Sequence, residues 1–140
     1  MAVKSTMIEM SQSQIVMAQP AARPVEGLPI GNGRMGTLVW TTPGSVEFQI
    51  NRVDVFAVNR QTAGAHFPGP TDYGGGCARV SVVFGGEPFR PVPHFAQRLS
   101  LADARCEVRG DGVRAACWVA AESDVLVVKV TDERESPAPI

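Results

Sequence analysis

Apolar and polar residues alternate with a period of two along most of this chain after residue 25, which is the pattern of half-buried β-strands. The segments VEFQIN (46–51) and ARVSVVF (78–84) each place every second residue, all of them apolar, on one face. GTLVW (36–40) is a shorter apolar run before a turn at 42–44. The pattern predicts short strands joined by turns.

The segment 101–121 predicts a hairpin with a defined register. Its centre, Asp111-Gly112, is a favoured pair for a two-residue hairpin loop. With that loop every residue on one face is apolar, and a shift of one position would expose one strand's apolar set. The inner face then pairs Val108 with Ala115, Cys106 with Cys117, Ala104 with Val119, and Ala102 with Ala121. The outer face carries Asp103, Arg105, Glu107, Arg109 and Arg114, with Trp118 opposite Arg105.

The segment DVLVVKV (124–130) is a nearly continuous run of β-branched residues, and we expect a strand covered on both faces. Its second neighbour would come from sequence beyond this chain or from another copy. Together the strands predict an all-β, antiparallel β-sandwich that is incomplete within these residues.

Three glycines, Gly31, Gly33 and Gly36, lie within the stretch GLPIGNGRMGTLVW (27–40). Their spacing matches a dinucleotide-binding loop, but such a loop opens a helix, and here a strand follows. We therefore expect a tight turn with a positive φ at Gly31 or Gly33, where Asn32 also tolerates the left-handed conformation. Gly36 would allow close packing where the strand begins.

Composition narrows the function classes. In 140 residues, 13 Lys and Arg face 14 Asp and Glu, so no basic excess favours a nucleic-acid partner. The sequence has no stretch of about 20 apolar residues, so we expect no membrane span. The 3 cysteines are too few and too widely spaced for a disulfide framework or a zinc site, and we expect no metal or cofactor. Cys106 and Cys117 pair in the hydrogen-bonded geometry, which favours two buried thiols over a cross-strand disulfide.

The domain boundaries follow the same signals. Residues 1–24 are interpreted as a leader or disordered tail in which polar residues interrupt any signal-peptide core, so no intact signal peptide is visible. Residues 25–132 form the sandwich, and 133–140 a truncated linker or strand connection.

Acidic and histidine side chains are the candidate catalytic groups of this sequence. A glycosidase needs two carboxylates flanking the sugar, but none of the available acids stands in a context that would raise its pKa, and Glu47 and Asp103 fall on outward faces. We therefore expect solvated carboxylates, and no metal-binding or general-base role for the histidines. The residues considered are Glu47, Asp54, Asp72, Glu87, Asp103, His66 and His94.

The stretch QPAARPVEGLPIGNGRMGTLVW resembles the opening of glycoside hydrolase family 95, the α-L-fucosidases and their relatives, whose N-terminal β-domain begins E-A-L-P-[IV]-G-N-G-R-[LM]-G. VEFQINRVDVF is similar to the family's I-Q-L-N-E-D-x-x-W, with Arg52 in place of an acid and Phe56 in place of Trp. The segment 95–132 is similar to the family's later hairpin, so the resemblance covers about residues 19–132.

This resemblance implies a supersandwich-type β-domain followed by an (α/α)6 barrel that carries the catalytic groups. None of those groups falls on this chain, so no catalytic residue is assigned. The parent protein would hydrolyse glycosidic bonds by inversion, outside the cell or in the periplasm. The residues Gly31, Asn32, Gly33, Arg34 and Gly36 would form a structural motif.

Two hypotheses remain open. In the first, the chain is the non-catalytic N-terminal part of such a hydrolase and packs on its barrel. In the second, it is a freestanding carbohydrate-binding β-sandwich. Aromatic candidates for sugar contact are Trp40, Trp118 and Tyr73, and Trp118 with Arg105 on an outward face is the strongest pair. A reading frame that continues past Ile140 into helical repeats would favour the first hypothesis, and a stop codon the second.

Overall fold

A computed structural model describes residues 13–59 and 71–137. The described residues form two antiparallel sheets packed face to face, which confirms the predicted all-β sandwich. The five-stranded sheet has the order β1-β6-β7-β8-β9, and the four-stranded sheet the order β2-β3-β4-β5. The strands are β1 (Gln14–Met17), β2 (Leu28–Gly31), β3 (Met35–Thr42), β4 (Ser45–Asn59), β5 (Thr71–Val83), β6 (Ala96–Ser100), β7 (Arg105–Arg109), β8 (Val113–Val119) and β9 (Leu126–Asp132), with a 3-10 turn at Pro24–Glu26 before β2.

The core lies between the inner faces of the two sheets. The predicted alternation in β4 is confirmed, because Val46 and Phe48 are fully buried. Phe84 and Phe89 pack edge to face, with ring centroids 5.2 Å apart. The buried apolar residues that the sheets share include Leu28, Ile30, Val39, Phe95, Leu99, Cys106, Val108, Ala115 and Cys117. The alternation predicted for 78–84 holds less well, since Val80 of β5 is exposed while Phe84, just after β5, is buried.

One polar side chain bridges the sheets through the core. Gln97 of β6 is fully buried, and its amide Nε2 donates a 2.7 Å hydrogen bond to the carbonyl oxygen of Val39 in β3. A second, weaker contact of 3.6 Å joins Nε2 to the sulfur of Cys106. This bond links the two sheets in the middle of the sandwich.

The register of the β7–β8 hairpin agrees with the sequence. Cys106 pairs with Cys117, and Arg105 with Trp118. Both of these cysteines are buried free thiols, as expected. The predicted strand start was wrong, however. Residues 101–104 form an exposed turn in which Ala104 has a φ of +48°, so Ala102 and Ala104 do not face the core. The short strand β6 directly precedes that turn, and the apolar pattern did not predict it.

Strand β9 lies at the edge of the five-stranded sheet, where β8 is its only described neighbour. Within the described residues the outer face of β9 is uncovered, and the expected second neighbour from outside this chain stays a prediction. Val128 and Val130 pack on the core from the inner face, whereas Lys129 and Thr131 are exposed on the outer face.

Strand β1 lies inside the segment 1–24 that was interpreted as a leader. It pairs with β6, with Gln14 opposite Ser100 and Val16 opposite Arg98. Residues 13–24 are thus part of the described fold, with β1 forming one edge of the five-stranded sheet.

Candidate functional site

The stretch Gly31–Gly36 forms the turn between β2 and β3, with Gly31 paired to Gly36. Gly33 has a φ of +89°, which confirms the expected positive φ at this turn. The close approach occurs at Gly31 and not at Gly36. A Cβ on Gly31 would lie 2.9 Å from the carbonyl oxygen of Met35, whereas one on Gly36 would only touch Ile30 at 3.5 Å.

The side chain of Asn32 uses its full hydrogen-bonding capacity at this turn. Its Oδ1 accepts from the backbone N–H groups of Arg34 and Met35, each at 2.9 Å. Its Nδ2 donates to the carbonyl oxygens of Ala120 and Ser123, at 3.0 and 3.2 Å. The first pair of bonds closes the turn, and the second ties it to the β8–β9 loop of the other sheet.

Asp124 adds a charged connection between the same two elements. Its Oδ2 accepts from Arg34 at 2.5 Å and from Arg52 at 2.8 Å. The Arg34 hydrogen bond, helped by the charges of both arginines, holds the pKa of Asp124 below its usual value against the opposing effect of desolvation. Arg52 also forms a bidentate pair with Asp54, with both distances 2.9 Å. We call Asn32, Arg34, Arg52 and Asp124 the inter-sheet clasp.

A bulged region of β4 brings Arg52 into the clasp. The pairing of β4 with β5 shifts between Asn51 and Phe56, and Val53 donates from its backbone N–H to the carbonyl oxygen of Arg34. Arg52, one of the two positions where VEFQINRVDVF departs from the family 95 pattern, thus has a partner in Asp124. No motif in the sequence pointed to Asp124, because it lies about ninety residues from Arg34 along the chain.

A shallow groove of about 400 Å³ runs beside the clasp over the paired glycines Gly31 and Gly36. Arg34 and Arg52 line it, but both guanidinium groups are already paired with Asp124. The groove therefore offers little unpaired charge to a ligand.

The expectation that Glu47 is solvated was wrong. Glu47 projects from the outer face of the four-stranded sheet, yet it is buried. The hydroxyl groups of Ser45 and Ser81 donate to its two carboxylate oxygens at 2.6 Å each, and Arg79 lies 3.5 Å away. Burial by itself would raise the pKa of Glu47, but the two hydroxyl bonds and Arg79 together bring it below its usual value. Arg79 also stacks over Trp40, which is buried.

The residues expected to contact carbohydrate do not come together as one set. Trp118 and Arg105 are neighbours on the outer face of the five-stranded sheet, with the guanidinium carbon 5.0 Å from the ring centroid. Trp118 is half-buried and Arg105 is exposed. Tyr73 belongs to β5 in the other sheet, and its side chain lies outside the described residues.

The other acids and histidines considered are scattered. Asp54, Glu87 and Asp103 are exposed, as expected. His94 lies 3.5 Å from Asp111 with both side chains exposed. His66 and the side chain of Asp72 lie outside the described residues.

Within the described part of the chain, no group of three or more His, Cys, Asp or Glu side chains is arranged to hold a metal ion. Nor do residues 13–59 and 71–137 contain a helix with the length and apolar character needed to cross a membrane.

The family model DUF5703_N, described as a domain of unknown function (DUF5703), matches residues 16–139. The chain belongs to the DUF5703_N family. The DUF5703_N match includes the clasp, the Trp118 face and both sheets except for the first two residues of β1, and by itself it does not connect the family with glycoside hydrolase family 95. A comparison with curated proteins finds no match.

Proposed function

We propose that this DUF5703_N chain is the non-catalytic N-terminal β-sandwich domain of a glycoside-hydrolase-like protein. The observation that carries the proposal is the position of the GNGR residues in the inter-sheet clasp. Asn32 and Arg34 reach Ala120 and Asp124 across the sandwich, so the motif that resembles family 95 acts on the fold and not on a substrate.

The state of the carboxylates supports a non-catalytic role. A general acid in a glycosidase needs a raised pKa. Glu47, Asp54 and Asp124 instead have lowered pKa values, because each accepts hydrogen bonds from hydroxyl or guanidinium groups. These acids are held as structural anions.

The test compares this chain with the product of the reading frame extended past Ile140. The purified chain should not hydrolyse aryl α-L-fucosides above a buffer blank, while the extended product should. Turnover by residues 1–140 that survives repurification and disappears in Glu47→Gln or Asp54→Asn would overturn the proposal. So would an extended frame that encodes no further domain.

A second candidate function is carbohydrate binding by the sandwich itself, and the half-buried Trp118 ring beside Arg105 on an outer sheet face favours it. An aromatic ring on a sheet face can stack on the apolar face of a sugar ring, while a neighbouring guanidinium donates to sugar oxygens. Because Trp40 is 4% exposed, a change in tryptophan fluorescence on adding polysaccharide would report on Trp118. A titration that leaves the tryptophan fluorescence unchanged would rule out this function. So would a fluorescence change that is equally large in Trp118→Phe, because that signal would not come from Trp118.

A further inference from the structure

The outer face of the five-stranded sheet collects basic side chains around Trp118. Cross-strand pairing sets Ser100, Arg105, Trp118 and Val127 in one row. The next two rows contain the remaining cations. We call this surface the basic face, and its main members are Arg98, Arg105, Arg109, Arg114, Lys129 and Trp118.

Most of the charge on the basic face is not neutralised. Glu107 accepts from Arg114 at 2.8 Å and from Arg109 at 3.3 Å. Arg98 and Lys129 are exposed and have no hydrogen-bond or ion-pair partner in the part of the chain that the structure describes. Five cations thus share this face with two carboxylates, Glu107 and Asp103, although the whole chain has a formal net charge of -1.

The basic face also has the shape of a binding surface. A shallow groove of about 400 Å³ crosses it from Gln14 to Arg114. Arg98 and Arg105 line the groove, and Asp103 stands in its lining, where it accepts a hydrogen bond from Ser100.

We infer that the basic face binds an anionic polysaccharide, an inference that rests on the second candidate function above. Trp118 would stack on a sugar ring, and Arg98 and Arg105 would pair with carboxylate or sulfate groups of neighbouring sugars. Arginine suits this ligand because its planar guanidinium group donates two parallel hydrogen bonds to such groups.

Single-stranded nucleic acid is the other polyanion that a basic surface could hold. Its binding surfaces usually provide several aromatic rings on which successive bases stack, whereas the basic face provides Trp118 as its aromatic ring among the described residues. The observations therefore favour the polysaccharide, and nucleic acid becomes an arm of the test.

The experiment measures the affinity of the full chain by fluorescence titration and affinity electrophoresis. Two matched pairs of probes are used: polygalacturonate with its methyl ester, and dextran sulfate with dextran. Single-stranded DNA is the fifth probe. The variants are Arg98→Gln, Trp118→Ala and Trp118→Phe, and the control is Arg90→Gln, which removes the same charge from the exposed loop between β5 and β6. Thermal melts check that each variant is folded.

We expect binding to one of the anionic polysaccharides and at least tenfold weaker binding to its neutral partner. Arg98→Gln and Trp118→Ala should each weaken binding about tenfold, with Trp118→Phe intermediate and Arg90→Gln unchanged. The pair that shows the contrast identifies carboxylate or sulfate as the recognised group. If Trp118→Ala does not fold, Arg98→Gln and Trp118→Phe carry the test.

The possible failures are distinguishable. Equal binding to charged and neutral partners would overturn this inference while leaving carbohydrate binding in place. Binding to none of the polysaccharides would overturn both. Two results would show general attraction of polyanions and overturn the inference. One is binding to DNA as tight as binding to the polysaccharide, and the other is a loss of affinity in Arg90→Gln equal to that in Arg98→Gln.

Discussion

Gly33 and Ala104 both adopt left-handed backbone conformations, with φ values of +89° and +48°. Glycine takes this conformation without steric cost, whereas an alanine there is strained. Gly33 closes the turn that starts the clasp, and Ala104 ends the turn before β7. At the residue scale, the turn at Gly33 is therefore unstrained, whereas the turn that ends at Ala104 is strained.

Replacing Gly33 by valine should lower the free energy of unfolding by about 1–3 kcal/mol, because a β-branched residue is strained at positive φ. Gly36→Ala is the matched control, since its new methyl group would make an ordinary contact with Ile30. Urea unfolding of both variants is the measurement. Equal stability of the two would contradict the turn geometry described here.

The three cysteines should differ sharply in reactivity. Burial raises the pKa of the Cys106 thiol to about 11 and that of Cys117 to about 12, and the thiolate is the reactive form. Cys77 is exposed. Iodoacetamide at pH 8 should therefore modify Cys77 in the native protein and all three cysteines in urea, as counted by mass spectrometry. Rapid native modification of Cys106 or Cys117 would show that the core opens readily.

At the element scale, the β7–β8 hairpin contacts the loop between β5 and β6. Gly110 lies directly under that loop, and a Cβ there would come 2.1 Å from the carbonyl oxygen of Pro88. Asp111 donates from its backbone N–H to the same oxygen at 2.8 Å. The hairpin and the loop thus meet at a point where a side chain does not fit.

Gly110→Ala should consequently lower the free energy of unfolding by about 1–3 kcal/mol, the usual range for overpacking. The methyl group would meet backbone, which cannot move aside as a side-chain tip can. Gly110→Ala and wild type are compared by chemical unfolding, with Arg109→Ala as a neighbouring substitution on the exposed outer face. A neutral Gly110→Ala would mean that the loop does not pack on the hairpin.

At the scale of the whole molecule, polar links join the two sheets both in the core and at the rim: Gln97 bonds to Val39 in the core, and the clasp lies at the rim. The clasp depends on the ionised form of Asp124. Because folding lowers the pKa of Asp124, its contribution to stability is present above the unfolded-state pKa of about 4 and is lost as the pH falls through the folded-state value.

Asp124→Asn should therefore lower the melting temperature at pH 7 and reduce the further loss of stability on acidification below about pH 4. Glu122→Gln removes a charge from an exposed side chain in the same loop and is the control. Thermal melts from pH 7 to 3 give both quantities. A variant that keeps the wild-type acid dependence would show that Asp124 does not contribute through the clasp.

Sequence reasoning reached the sandwich class and the hairpin register because both depend on local signals. Alternation in β4 and the Asp111-Gly112 loop act within a few residues, and a one-residue error would expose apolar side chains to water. The same signals placed Arg105 beside Trp118 on an outer face, and the structure has that pair.

Only the tertiary structure reveals the burial of the Glu47 carboxylate and the formation of the clasp. Glu47 alternates as an outward residue, but Ser81 and Arg79 arrive from a strand more than thirty residues away and enclose it. Asp124 meets Arg34 and Arg52 only because the two sheets pack face to face. Arg98 and Lys129 likewise join the basic face through strand order. Local sequence determines on which face of its strand a side chain lies. The packing of distant strands decides which residues that side chain contacts, because the free energy of pairing between strands comes from contacts that no short segment contains.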